Sequence, residues 1–560
     1  MIASLAVRLL LDQGPNLLTT TVYRSRSGIL AFALRGAAEA EIVPPPLTPV
    51  GNFRGRQGKH PIPDPFWRLI KMTGDRMFAR REIFIGLGLF LLTISVYYPA
   101  LEASMVADDF RIVERLNFDD AFRSLHETVG YGRNEYRPLI AFSYALSNTL
   151  WRGDPRGYHL ESILLHALNV LLLFSWLFLL TRSSLISSAA GLMFAIHPIH
   201  HSRVVWIAAR DSLPSLFFLL AALIAYTLAR RPNDHLCARK PGTARVLVIL
   251  SIVFFALSLL CYEGAVVLPG ILFGLEFLLL ARPAQAFWSR VRTAAVRVLP
   301  HAAALGIYLA FWLLLFRGEV GQYDLSLTFG NFVGNYHNLL YQLLHGHQRL
   351  AGILYFFLFI LGLLLPRGCR PLLWFSILFM LAAFVPFVMI TGFAARFAYA
   401  SAIGYALLAA LLLSAGFLRA KADSSRTIRI LAPSLAAMVL LLLAGYYVTD
   451  LRARIAEWKA AGEIADSIPR QIKARYPDLP TGSTLVLARI PRMHGHAYLY
   501  PLGLKASIER FYSGRDLQVY YGPGEVDEIL QGRKMGTPDT YLFRYIQDRQ
   551  GIEEITIPHK

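Results

Sequence analysis

Apolar residues in this chain come in long runs separated by short charged linkers. A helix crosses a bilayer core in about 20 mostly apolar residues. Eleven segments meet that length, with edges read to within several residues: 83–100, 159–181, 184–200, 208–229, 245–262, 264–281, 299–316, 350–366, 371–391, 399–418 and 430–449. The pattern changes after residue 450. A helical period runs through 451–475 with Trp458 on its apolar side. Strand-like runs follow at 483–490 and 516–521, with a helical stretch near 498–512 between them. That alternation predicts a small α/β unit. The expected class is a polytopic α-helical membrane protein with about 11 transmembrane helices and a small α/β C-terminal extramembrane domain.

Composition supports that class and excludes others. The 560 residues are 55% hydrophobic and only 17% charged, with a mean hydropathy of +0.45. Soluble domains carry about 25% charged residues, so an ordinary water-soluble enzyme is excluded. Apolar content at this level also excludes a disordered chain. The net charge is +19, and its distribution decides what it means. With the N-terminus in the cytoplasm, Arg230, Arg231, Arg239, Lys240 and Arg245 fall inside. So do Arg282, Arg290, Arg292 and Arg297, then Arg367 and Arg370, then Arg419, Lys421, Arg426 and Arg429. Basic loops on one side are what membrane insertion requires. The excess therefore reads as topology, and no nucleic-acid partner is expected. Of the 56 basic residues 9 are Lys, an Arg bias typical of GC-rich bacteria, so a bacterial inner membrane is expected.

Three regions follow. Residues 1–81 form a basic cytoplasmic tail, Pro-rich at Pro44-Pro45-Pro46 and expected to be disordered. Residues 82–449 form the transmembrane domain, with a large first outer loop at 101–158. Residues 450–560 form the α/β unit, on the periplasmic or lumenal side by span parity. Cys237, Cys261 and Cys369 have no disulfide or metal-ligand spacing.

Ionisable residues in or beside spans mark functional sites by default, and here they gather at the outer ends. Asp108 and Asp109 follow span one. Such a pair suits a general base, a divalent cation such as Mg or Mn, or a helix N-cap. Nothing else in the sequence calls for a metal. Arg137, before Pro138, offers a planar fork suited to phosphate. His159 and His166 share a helix face, and His166 equally suits a core position. His197, His200, Arg203 and Arg210 gather at the outer rim of span three. Phosphate or sugar contact suits them better than zinc, because Pro198 breaks the helix. Arg210 beside Asp211 equally suits a local ion pair. Glu263 interrupts an apolar stretch with no basic neighbour, and Arg396 and Tyr399 stand at the outer end of span ten. Arg396 equally suits a snorkelling interface anchor. Asp119 and Asp120 read as solvated surface. No phosphate loop, dinucleotide fingerprint, H-E-x-x-H or G-x-S-x-G is present.

Taken in order, Y-R-P-L at 136–139, G-Y-H-L-x-x-x-L-L-H-A-L-N at 157–169, F-A-I-H-P-I-H at 194–200, R-D-x-L at 210–213, E-G-A-V-V-L-P at 263–269 and R-F-x-Y at 396–399 form a set. With the acidic pair ahead of them, they resemble the GT-C membrane glycosyltransferases, and within these the transmembrane O-mannosyltransferases that carry tetratricopeptide repeats. The resemblance covers roughly residues 83–420. It implies a polyprenyl-phosphate sugar donor and a glycan, lipid or protein acceptor hydroxyl on the outer face. By the same resemblance Asp108 or Asp109 serves the acceptor, and Arg137, His197, His200, Arg210 and Arg396 lie near the donor phosphate. Three departures point to a different acceptor. His201-Ser202-Arg203 stands where the family often has T-E-A, Tyr262 replaces the usual Lys before Glu263, and no tetratricopeptide array follows. A transporter or lipid flippase and a non-catalytic scaffold are the rival readings. The flippase reading expects inverted repeats and midplane charges, and the charges here sit at the rim.

Overall fold

The computed structural model describes residues 80–127, 136–230, 241–281, 285–316, 326–344, 368–422, 426–500, 503–512, 514–530 and 539–555. Residues 1–79 of the expected tail, the expected span at 350–366 and Cys237 lie outside the described residues.

Among the described residues, eight helices are long and apolar enough to cross a membrane. Those used below are α1 (Arg80–Tyr97), α2 (Pro155–Thr181), α3 (Ser212–Arg230), α4 (Pro241–Cys261) and α5 (Phe287–Phe316). The expected third and tenth spans appear as the shorter apolar helices Ser184–Ile196 and Ser401–Ser414. The expected count of eleven is therefore not reached by length among the described residues. The third expected span stops at Ile196 rather than residue 200 because Pro198 forces the preceding residue out of helical backbone. His197 accordingly sits at ψ 123 and opens a short 3-10 turn, Pro198–His200.

Sequence dictates two further local features. The apolar stretch around Glu263 forms no single helix. After Cys261 the chain makes a 3-10 turn over Glu263–Val267, an α-turn over Leu268–Gly274 and a π-turn over Leu275–Leu280. Helices Arg370–Ala382 and Ser401–Ala422 pack backbone to backbone at Gly404. A Cβ there would overlap Met380 N and Ser376 O, so only Gly permits the approach. Trp176, fully buried, packs edgewise on Phe375 across the bundle.

Helix α6 (Arg426–Arg475) is continuous for 50 residues, about 75 Å at 1.5 Å per residue. It leaves the bundle and becomes the spine of the C-terminal unit. Among the described residues six strands follow, β1 (Thr484–Ala488), β2 (Met493–His494), β3 (Ala497–Tyr498), β4 (Gln518–Tyr520), β5 (Thr540–Ile546) and β6 (Gly551–Glu554). One sheet has the order β4-β1-β5-β6, parallel except for the β5–β6 pair. Strands β2 and β3 form a separate hairpin, and a short helix, Leu504–Glu509, follows it. Trp458 on α6 is buried at the junction and donates from Nε1 to His201 Nδ1 at 2.8 Å.

Candidate functional site

The acidic pair lies on a tight turn held from both sides. Asp109 N donates to Val106 O at 3.0 Å, closing a turn over Ala107 and Asp108. Ala107 adopts φ 48, a left-handed backbone uncommon for a residue with a Cβ. The C-terminal unit holds it there. Ala107 N donates to Leu499 O at 2.9 Å, and Gly503, at φ 90, lies so close that a Cβ would overlap Ala107 O.

The two carboxylates have different jobs. Asp109 is fully buried, and both its oxygens accept backbone N–H bonds. Oδ2 takes Val106 N at 3.0 Å and Oδ1 takes Ala208 N at 2.7 Å. These bonds tie the loop after α1 to the segment before α3. Burial pushes the Asp109 carboxyl up to about 8, against the pull of those donors. Asp108 stands at the N-cap position of the next helical turn, Asp109–Arg115, yet makes no capping bond. Its Oδ1 is buried with no hydrogen-bond partner among the described residues. Burial raises its carboxyl above the ordinary range, while Arg111 and Arg396 pull the other way.

The arginines divide in the same manner. Arg137 makes a two-pronged bond to Glu263, Nε to Oε2 at 2.9 Å and Nη2 to Oε1 at 2.7 Å. Its Nη1 donates to Asp211 Oδ2 at 2.6 Å. Arg203 completes the group. It donates to Asp211 Oδ1, to the Tyr262 hydroxyl at 2.8 Å and, from Nε, to the Arg396 carbonyl at 2.8 Å. Arg210, only 1% exposed, donates to Glu161 Oε2 at 2.5 Å and Ser147 Oγ at 2.7 Å, and stacks over Tyr144. The local Arg210–Asp211 pair is thus not formed, since each residue pairs elsewhere. Three guanidiniums face three carboxylates, so this frame is close to electrically neutral. Arg396 differs. It is half-buried, donates to the Tyr498 hydroxyl at 3.0 Å, and lies 5.4 Å from the Trp206 ring centroid and 5.5 Å from that of Tyr498.

The histidines form a third group, sealed from solvent. His166 Nδ1 lies 2.8 Å from the Tyr399 hydroxyl, which also accepts Asn169 Nδ2 at 3.2 Å. His200 packs against Phe194, His166 and Tyr399, and neither ring nitrogen has a partner among the described residues. His197 Nε2 is 3.1 Å from Leu343 O, and its Nδ1 accepts Ile199 N. His159 Nε2 is 3.0 Å from Ala103 O, holding the loop after α1. Arg396 and Tyr399, three residues apart, therefore serve different groups. Among the described residues, no group of three or more His, Cys, Asp or Glu is arranged to hold a metal ion. Asp120, expected on the solvated surface, is instead buried, capping a helix with Asn117 and pairing with Arg123.

About a quarter of the chain is related to the protein O-mannosyl-transferases. It is 33% identical over 138 residues to protein O-mannosyl-transferase TMTC3 of Mus musculus, a match covering 24% of this chain and 14% of that protein. It is 33% identical over 145 residues to TMTC2 of Homo sapiens, covering 24% and 17%, and 34% identical over 154 residues to TMTC4 of Homo sapiens, covering 24% and 20%. The matches thus span a fifth or less of these relatives' length. No family model matches. Among solved structures, ArnT from Cupriavidus metallidurans bound to undecaprenyl phosphate has a TM-score of 0.43 at 15% identity, covering 83% of this chain and 93% of its own. AglB from Archaeoglobus fulgidus, in complex with an inhibitory peptide and a dolichol-phosphate, has a TM-score of 0.45 at 12% identity, covering 84% and 70%. The resemblance read from the ordered motifs is thus carried by sequence relatives that are themselves named as O-mannosyl-transferases.

Several residues of the site were outside the sequence reading. Glu161 carries Arg210, and its carboxylate inside an apolar run is a legible signal. Tyr498 and Gly503 give no such signal, because only the docking of the C-terminal unit brings them to the acidic turn, and Trp206 reaches it through the segment before α3 that also supplies Ala208.

Proposed function

We propose that this chain is a membrane glycosyltransferase that moves a sugar from a polyprenyl-phosphate donor to an acceptor hydroxyl on the outer face. Asp108 is the general base and Arg396 faces the departing phosphate. The observation that carries this reading is the split within the acidic pair. Asp109 spends both oxygens on backbone donors, whereas Asp108 keeps a buried oxygen without a partner, in the field of Arg396.

The chemistry follows from that placement. A carboxylate raised in basicity by burial takes the hydroxyl proton more readily than a solvated one. The oxygen then attacks the anomeric carbon in line as the phosphate departs, so a single displacement inverts configuration. Fixed positive charge beside the leaving oxygen stabilises the transition state by a few kcal/mol. Arg137, Arg203 and Arg210 act as frame, since each is matched by a carboxylate. Arg203, through the Arg396 carbonyl, positions Arg396. His197, His200 and Tyr399 line the buried ground behind it. In this reading the N-terminus is cytoplasmic, the acidic turn and the C-terminal unit are on the outer side, and the C-terminal unit selects the acceptor.

The test supplies purified full-length protein with a polyprenyl-phosphate sugar and measures transfer and donor hydrolysis. Asp108→Asn is expected to lower the rate by about 10²–10⁴, with folding intact. Equal rates in wild type and Asp108→Asn remove Asp108 as base. Chelation followed by Mg or Mn addition decides whether a divalent cation takes part.

A further inference from the structure

Helix α3 carries Asp211 just before its first residue and Arg230 at its last, about 28 Å apart along the axis. The far end holds a second charged cluster unconnected with the acidic turn. Glu276, on the π-turn, is sealed with its side chain 1% exposed. Its Oε1 accepts the Tyr226 hydroxyl at 2.8 Å and Arg230 Nε at 2.7 Å, and its Oε2 accepts Arg297 Nη1 at 2.8 Å. Arg290 Nη2 donates to the Phe277 carbonyl at 2.5 Å, while its Nε is a buried donor with no acceptor among the described residues. Arg292, one turn from Trp288, is exposed. Among the described residues, three guanidiniums, those of Arg230, Arg290 and Arg297, thus gather beside one carboxylate, and that carboxylate is turned inward.

We propose that this cluster seats the phosphate of an anionic glycerophospholipid. The excess positive charge calls for an anion. The side chains of Arg230 and Arg297 are 23% and 41% exposed, so both reach past Glu276 toward the surface. The surroundings choose a lipid over a soluble anion. Phe287, Trp288, Val296 and Leu299 stand 58–77% exposed on the same helix, α5. Apolar side chains open to the bilayer suit acyl chains, and a Trp beside arginines marks the headgroup level. The π-turn widens the helix by one residue. The Phe277 carbonyl on this turn accepts Arg290, and Arg290 and Arg297, seven residues apart, share one face of α5. Basic pockets between transmembrane helices hold anionic headgroups by this combination of charge and greasy walls.

The test titrates delipidated full-length protein with short-chain phosphatidylglycerol and reads the melting midpoint. Short-chain phosphatidylcholine and inorganic phosphate are parallel probes. A saturable rise with phosphatidylglycerol alone is expected. Each lost guanidinium is expected to raise the half-saturating concentration about fivefold, so Arg290→Gln with Arg297→Gln raises it more than tenfold. Arg156→Gln, an exposed change in the first turn of α2, leaves it unchanged. Should the double variant fold poorly, Arg297→Gln alone carries the test, since its side chain is 41% exposed and Glu276 keeps Arg230 and Tyr226 without it. An equal response to phosphatidylcholine, saturation by phosphate at the same concentration, an equal loss in Arg156→Gln, or no change in Arg297→Gln overturns the proposal. The readout is binding, so it stands or falls independently of any transferase activity.

Discussion

The two ends of helix α3 carry similar residues in opposite proportions. At the Asp211 end, Arg137, Arg203 and Arg210 meet Asp211, Glu161 and Glu263, one carboxylate for each guanidinium. At the Arg230 end, Glu276 is the one carboxylate among the described residues paired with Arg230 and Arg297, and Arg290 stands beside it on the Phe277 carbonyl. A matched, buried set holds backbone in place and leaves little charge for a ligand. An unmatched, half-exposed set attracts one. Arginine content alone does not distinguish a frame from a binding site; the carboxylate count and the burial do.

The most severe way to break this contrast is Asp211→Asn. Asp211 receives both Arg137 and Arg203 with its side chain 5% exposed. The amide keeps one acceptor oxygen and leaves an uncompensated buried positive charge. Breaking a buried pair from one side costs about 3–5 kcal/mol. A large fall in melting midpoint in detergent is expected, with transfer lost because Arg203 no longer holds the Arg396 carbonyl. A loss below about 1 kcal/mol would mean that the frame is not structural.

Asp109→Asn is next. Its amide turns a donor toward one of the backbone N–H groups that the carboxylate accepts. An unsatisfied buried donor costs about 1–3 kcal/mol. The pH dependence sharpens the test. The folded carboxyl is pushed up to about 8 from an ordinary 3.8, so the folded state holds a proton that the unfolded state has already lost. Its contribution to stability is full below the ordinary value and falls as pH rises toward 8. The melting midpoint of the wild type should therefore decline across that window more steeply than that of Asp109→Asn. Parallel profiles would show that Asp109 does not titrate there.

How far this was legible from sequence depends on the range of the interaction. Spans show themselves locally, since about 20 apolar residues suffice, and Pro198 announces the early end of helix Ser184–Ile196. Strands β1 and β4 lie within the predicted runs, but β5, broken by Arg544, gave no run to read. The ion pairs are different. Glu263 has no basic residue near it in sequence, yet Arg137 reaches it across 126 positions. Arg396 and Tyr399 read as one rim motif and diverge, because the turn between them sends one toward Tyr498 and the other toward His166. Residue type and spacing show which positions near the spans carry charge. They could not say which charges cancel, because that is decided by tertiary partners.

At the unmatched end, Arg297→Gln is expected to cost less than about 1 kcal/mol. Arg297 is 41% exposed, and Glu276 keeps Arg230 and Tyr226 when it is lost. Half-exposed pairs contribute little. The same substitution in kind at the matched end, Arg210→Gln, removes a guanidinium only 1% exposed and leaves the Glu161 carboxylate the neutral donors Ser147 and Trp151, so the two variants should differ severalfold in their effect on the melting midpoint. Equal effects would erase the distinction between the two ends.

The smallest stability effect is expected at Asp108, and that smallness is informative. Asp108 sits beside Asp109 on the same strained turn, yet makes no capping bond and has one oxygen without a partner. Replacing it with Asn removes no hydrogen bond from the frame, so the melting midpoint should stay within about 0.5 kcal/mol of wild type. Adjacent isosteric substitutions would then separate cleanly, with Asp109→Asn losing stability and Asp108→Asn losing transfer. A group whose removal leaves the fold untouched is held in a buried, costly position for another reason, and at this turn proton transfer is the reason its geometry allows. If Asp108→Asn instead melts as early as Asp109→Asn, both carboxylates belong to the frame, and the base must be sought elsewhere.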